Sequence, residues 1–153
     1  NLMGNVFMKK SEDVFTIAKK FLQNNKLKKD YDFLVLDFHA ETTSEKMAMG
    51  HFFDGKATLV VGTHTHVPTN DARVLENGTA YQTDAGMSGN YNSVIGMDKN
   101  ISVKRFLKED RTKNSPAMGN ISLCGVIVEC DIETGLAKNI ESFIYGGELK
   151  NSH

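Results

Sequence analysis

The chain predicts an α/β fold. Two short apolar runs, residues 31–38 and 57–62, are bounded by polar or charged residues, and a segment of helical character precedes each. Helix, strand, helix, strand in succession is the rhythm of a parallel sheet covered by helices. Both runs read as strands buried on both faces, and both end in histidines.

The first helix is expected over residues 11–24. Ser11 offers an N-cap, Glu12 and Asp13 suit the positive end of the helix dipole, and Val14, Ile17, Ala18, Phe21 and Leu22 recur at helical spacing. Lys26, Lys28 and Lys29 make a polar linker to the first strand, which His39-Ala40-Glu41 follows. Thr43 or Ser44 can cap a second helix that carries Met47, Met49, Phe52 and Phe53, with Asp54-Gly55 as its stop. The second strand ends in Gly62-Thr63-His64-Thr65-His66.

Further on, short strands are expected at residues 73–75 and 79–83 around an Asn77-Gly78 turn. Residues 84–100 are rich in Gly, Asn and Ser and read as a long ordered loop of the functional kind. Residues 103–108 suit a short helix or strand. Residues 121–131 and 137–144 form a closing hairpin around Glu133-Thr134-Gly135. No repeat or interdomain linker interrupts the 153 residues, which are read as one domain, long enough to bury about two-thirds of the surface of the unfolded chain.

Composition excludes several functions. A net charge of -1 offers no field for nucleic acid or an anionic membrane. No apolar run approaches the roughly 20 residues that span a bilayer. Cys124 and Cys130 would lie roughly 20 Å apart along one strand, too far to bridge. They read as buried thiols of a cytosolic protein. The opening Asn1-Leu2-Met3-Gly4 reads as the middle of a longer pattern, so the chain is expected to be a fragment, a processed piece or the ordered part of something longer.

Three of the five histidines, His39, His64 and His66, stand at the C-terminal ends of the two predicted strands. That edge is where open α/β sheets bind ligands. A single histidine there is commonly a hydrogen-bonded structural residue. Three at one edge, beside Gly62 and several hydroxyls, favour metal ligation. In an extended backbone His64 and His66 point the same way; in a loop they splay toward two adjacent ions. Ligand histidines usually donate their second N–H to a carboxylate or carbonyl, and Asp37, Glu41, Asp71 and Asp84 are the local candidates. His51, inside the second helix, and His153 are read as ordinary surface residues.

Other residues carry two readings each. Thr63, Thr65 and Thr69 serve either a ligand or a turn. Met87, Asn90 and Tyr91 either cover a substrate and stack on it or brace a Gly-rich loop. Arg73 meets either a phosphate or a carboxylate.

The blocks Asp37-Phe38-His39-Ala40-Glu41-Thr42-Thr43-Ser44-Glu45-Lys46 and Val61-Gly62-Thr63-His64-Thr65-His66-Val67 resemble the YmdB-type family of calcineurin-like metallophosphoesterases. So do residues 78–89 and the opening residues 1–8, in order along nearly the whole chain. The resemblance implies a layered α-β-β-α sandwich that here lacks its N-terminal strands. It implies a bacterial cytoplasmic phosphodiesterase acting on cyclic nucleotides or similar small phosphodiesters, with two iron or manganese ions. His39 and His64 would bind one ion and His66 the other. The charge of the two ions would acidify a shared water that attacks phosphorus in line with the leaving oxygen.

The family pattern also has a Gly-Asp motif, a Glu-Asn pair and a Gly-Asn-His motif ahead of the segment that opens this chain. Those would supply an Asp ligand, a bridging Glu, an Asn ligand and the general-acid histidine, none of which lies in these 153 residues. The chain alone is therefore expected to be weak or inactive. Its first sheet is expected to expose an apolar edge that favours aggregation or a homo-oligomer. A non-catalytic regulatory remnant of the fold and a phosphomonoesterase or nucleotidase are the alternatives.

Overall fold

The computed structural model describes residues 1–8, 12–109 and 112–150. The predicted cap Ser11 and the terminal His153 lie outside the described residues. The first helix, α1 (Val14–Asn24), is instead capped by Asp13, whose carboxylate accepts the amide of Thr16 at 2.6 Å. The second, α2 (Thr43–Phe53), is capped one residue earlier than expected, by Thr42. It ends at Asp54, ahead of Gly55, which has the positive φ that glycine adopts freely.

Around them runs a five-stranded sheet built from β1 (Leu2–Met3), β2 (Val35–His39), β3 (Leu59–Thr63), β4 (Arg73–Val74) and β5 (Ala80–Gln82). Its order is β1-β2-β3-β5-β4, parallel throughout except for β4, which runs antiparallel to β5. The strand β1 was not expected from the opening residues. Two residues are too few for a period-two pattern to show. A third helix, α3 (Lys99–Phe106), begins four residues before the segment that suggested it and is capped by Asp98. The hairpin of β6 (Leu123–Cys130) and β7 (Ala137–Tyr145) makes a second sheet.

Alternation along the strands divides the core in two. Leu36, Phe38, Val60 and Tyr81 face α1 and α2 and pack with Val14, Ala18, Met49 and Phe53. Each such large side chain removed from water is worth about 1.5–3 kcal/mol. Leu59 and Ala80 point the other way, onto Ala137 and Ile140 of the hairpin. Helices, central sheet and hairpin are thus successive layers of the expected α/β class.

The hairpin leaves β2 uncovered on its side, which corrects the expectation of a strand buried on both faces. Val35 is 59% exposed and Phe33 47% exposed, on the face that also carries Asp37 and His39. An unbroken apolar run does not reveal which of its faces is covered. The cysteines are both free; Cys124 is buried, but Cys130, the last residue of β6, is only half-buried, contrary to expectation. No helix among the described residues is long and apolar enough to cross a membrane.

Candidate metal centre at the sheet edge

Strands β2 and β3 pair in register, so that His39 lies opposite Thr63. This pairing delivers His39 and the residues after Thr63 to the same edge. The chain then turns sharply: His64 has φ of 111° and His66 of 67°. Non-glycine residues in this region are uncommon and cluster at sites where geometry outweighs backbone comfort. The turn splays the two histidines, so the loop alternative holds and the extended one does not.

His64 swings back onto His39. Their rings meet edge to face, with centroids 4.8 Å apart, and His64 Nδ1 lies 3.0 Å from His39 Nε2. The groups at the far side of each ring bear on what this contact is. Thr63 donates its hydroxyl hydrogen to Asp37 Oδ1 at 2.9 Å, so the 3.0 Å contact between Thr63 Oγ1 and His39 Nδ1 needs the proton on His39 Nδ1. His64 Nε2 lies 2.7 Å from Glu41 Oε2, close enough for an ion pair with a charged ring. His39 Nε2 then presents a lone pair toward His64 Nδ1. At 3.0 Å either a proton on His64 Nδ1 or a cation bridges the two nitrogens. Two imidazole nitrogens bound to one ion at about 2.0–2.1 Å would themselves lie ~2.9–3.4 Å apart.

His66 does not join this pair. Its Nδ1 donates to the carbonyl of Ile95 at 3.0 Å, which leaves Nε2 as its own lone-pair nitrogen. Among the described residues no group of three or more His, Cys, Asp or Glu side chains is placed to hold one ion. The donors therefore fit a metal in kind, through imidazoles whose far sides have partners. They fall short in number for tight binding, since even an open catalytic site commonly has three protein ligands.

Two of the four candidate carboxylates touch the histidines: Glu41 directly, and Asp37 through Thr63. The other two do not. Asp71 accepts hydrogen bonds from Thr69, Thr83 and Arg73. Burial pushes its carboxyl up, but these donors outweigh burial and hold it below the ordinary range. Asp84 pairs with Lys46 at 2.7 Å, both side chains being only 1% exposed. It also accepts the amides of Thr65 at 3.0 Å and Gly86 at 2.9 Å. Burial raises the Asp84 carboxyl, and the Lys46 and Thr65 donors with the Gly86 amide more than reverse it. Asp84 thus fixes the peptide between His64 and His66 rather than orienting either ring.

The remaining expectations sort cleanly. Thr63 serves a histidine, whereas Thr69 braces the turn by bonding Asp71 and the Asp84 backbone. Arg73 meets Asp71 and lies over the Tyr81 ring at 5.1 Å, so it takes the salt-bridge role. Tyr91 bonds the backbone of His66 and Met87 and the Cys124 thiol, and Asn90 bonds the Met118 carbonyl. Both brace the loop through these bonds. Burial pushes the Tyr91 phenol well above its usual range. His51 lies exposed on α2, as expected.

Two supporting residues went unread in the sequence. Lys46 sits amid a polar helix turn and gives no sign of burial. Glu45, also buried, accepts the amides of Asn5 at 2.8 Å and Val6 at 3.3 Å, tying the opening segment to α2. A buried charge shows itself only through its partner, and Lys46 and Asp84 are 38 positions apart. Gly62 has a plainer reason: a Cβ there would come within 1.7 Å of the Thr83 carbonyl.

Comparison with known proteins places the chain among relatives. The family described as YmdB-like protein matches residues 1–143. A Bacillus subtilis protein named 2′,3′-cyclic-nucleotide 2′-phosphodiesterase is 42% identical over 94% of this chain and 54% of its own length. A crystal structure of a novel phosphatase from Mycoplasma pneumoniae superposes with a TM-score of 0.85 at 35% identity, covering 94% of this chain and 51% of that one. A crystal structure of a hypothetical protein from Thermus thermophilus gives 0.84 at 38%, covering 95% and 56%. The chain spans about half the length of the curated relatives it matches.

Proposed function

Because the chain belongs to the YmdB-like family, we propose that it carries the histidine half of a metal-dependent phosphodiesterase site for cyclic nucleotides or related small phosphodiesters. The observation that supports this most is the 3.0 Å contact between His39 Nε2 and His64 Nδ1, with the His39 proton held on its far nitrogen and Glu41 lying against the far side of His64. They would hold one divalent ion, and His66 Nε2 a second, iron or manganese by resemblance. Such ions supply Lewis-acid stabilisation of phosphoryl oxygens and lower the pKa of water.

The chain's own part is to keep the rings in place. Asp37 acts through Thr63 to hold the proton on His39 Nδ1, and Glu41 lies 2.7 Å from His64 Nε2. The Asp84–Lys46 pair pins the Thr65 amide between the two strained histidines. With no three-donor cluster among the described residues, the chain by itself should bind ions loosely and turn over slowly. The free cysteines suit a reducing cytosolic compartment.

The test is hydrolysis of bis-p-nitrophenyl phosphate with added Mn²⁺ or Fe²⁺, beside metal titration of the same sample. Weak turnover is expected, with metal affinity falling at least tenfold in His39→Ala and in His64→Ala. Metal binding indifferent to both substitutions would refute the site. Robust turnover lost in His64→Ala would keep the site and refute the weakness of the lone chain. A phosphomonoesterase is the second reading, favoured by the phosphatase neighbour. Turnover of mononucleotides above cyclic nucleotides would select it.

A further inference from the structure

Beside His66 lies a cavity of about 350 Å³ that the reading above does not use. Ile95, Met97 and Phe106 give it apolar walls, and Ser102, Arg105 and Asn114 give it polar ones. The volume is within the usual range for small-molecule sites. We propose that this cavity binds the base of a nucleoside phosphodiester, an inference that rests on the phosphodiesterase reading of the neighbouring histidines.

Three observations carry it. The first is continuity: the carbonyl of Ile95 accepts the His66 Nδ1 proton at 3.0 Å, so one residue both lines the cavity and orients a proposed ligand. The second is a polar group with no partner. Ser102 is 4% exposed, and its Oγ has no hydrogen-bond partner among the described residues. A buried hydroxyl left unpaired is costly, and one that lines a cavity is poised for a ligand atom.

The third is backbone strain at the rim. Val94 and Met97 exchange two hydrogen bonds of 2.9 Å across a tight turn, with φ of 48° at Ile95 and 90° at Gly96. Positive φ at both central positions marks a type I′ turn, which favours Asn-Gly; a β-branched residue in that first position is a true outlier. Here the strained position puts an apolar side chain, 56% exposed, at the mouth of the cavity.

The chemistry of the lining selects among ligands. An aliphatic chain would leave Ser102 and Asn114 unsatisfied. A bare sugar or phosphate would gain nothing from Met97, Ile95 and Phe106. A nucleobase meets both demands. Its faces stack on an aromatic ring, and its edge carries the donors and acceptors that Ser, Asn and Arg side chains pair with. Arg105 is held at the rim by a 3.2 Å bond from its Nη1 to the Thr112 carbonyl.

The probe is adenosine, which has a base and no phosphate, titrated without metal and followed by amide NMR. Saturable shifts are expected at residues 94–97 and 102–106, and none there with ribose 5-phosphate. Phe106 is 83% exposed, so Phe106→Ala should fold normally while weakening adenosine about fivefold or more. Ser102→Ala should weaken adenosine while leaving the free protein at least as stable, because its Oγ has no partner to lose among the described residues. Shifts confined elsewhere, or an affinity unmoved by Phe106→Ala, would overturn the proposal. Mn²⁺-dependent turnover of 2′,3′-cyclic AMP whose KM ignores Phe106→Ala would sink the pocket and spare the phosphodiesterase reading. Adenosine binding here, with Mn²⁺ binding indifferent to His39→Ala and His64→Ala, would keep the nucleoside site and sink that reading instead.

Discussion

Replacing Lys46 with methionine should cost stability in a way that fades with acid. The Lys46 ammonium lies 2.7 Å from Asp84 Oδ2, and each side chain is 1% exposed. Removing one partner of a buried pair costs about 3–5 kcal/mol, because the other charge stays behind in a poor solvent. Two backbone amides, of Thr65 and Gly86, still reach Asp84, which argues for the lower end, about 3 kcal/mol. That is a large share of the roughly 5–15 kcal/mol typical of a domain.

The sign with pH follows from Asp84. In the native protein its carboxyl is held below the ordinary value, so its contribution is present above the unfolded pKa near about 3.9 and is lost as pH falls through the lower folded value. Without Lys46, burial dominates and the Asp84 pKa rises, so the variant carries its largest penalty at neutral pH and recovers as the carboxyl protonates. Urea denaturation at pH 7 and pH 4.5 measures both ends. A difference from the parent of about 3 kcal/mol at pH 7 should shrink by at least half at pH 4.5. The double variant Lys46→Met, Asp84→Asn should recover part of the loss at pH 7. A difference below about 1 kcal/mol, or one that ignores pH, would refute the account of the pair.

Gly62→Ala should destabilise by about 3 kcal/mol or more, since its Cβ would come within 1.7 Å of a backbone carbonyl; thermal unfolding reads this directly. Thr63→Val keeps the shape but cuts the path from Asp37 to His39. It should lower Mn²⁺ affinity about 10- to 100-fold in calorimetry, with only about 1 kcal/mol lost from the fold. Asp131, held at a pKa of about 2 by the Lys138 ammonium and the amides of Thr134 and Glu133, should lose its stabilising effect as pH falls from about 4 toward 2; a carboxyl NMR titration checks the value.

Much of this fold was legible because its signals are local. The apolar positions of α1, the stop after α2 and the Asn77-Gly78 turn all rest on neighbours within a few residues. The histidines could be placed at one edge because strand ends in a parallel sheet fall there. What escaped was long-range or one-sided. The two-residue β1 has no period to read. The exposure of Val35 depends on how far the hairpin reaches. The assignment of four carboxylates between ring support and loop support depended on distances across tens of positions, so Asp71 and Asp84 looked as suitable as Glu41. The cavity beside His66 was equally hidden, since Ser102 looks ordinary until its Oγ is seen to lack a partner among the described residues.

The positive φ values at His64 and His66 bear on laboratory evolution of this protein. Glycine or asparagine would adopt those angles with less strain, so each histidine holds its place against a conformational preference. A library sorted only for heat resistance should therefore enrich Gly or Asn at positions 64 and 66 and return hardier proteins without the pair of nitrogens at the sheet edge. Screens aimed at improving the scaffold must include metal capture as a second selection, or they will optimise away the site.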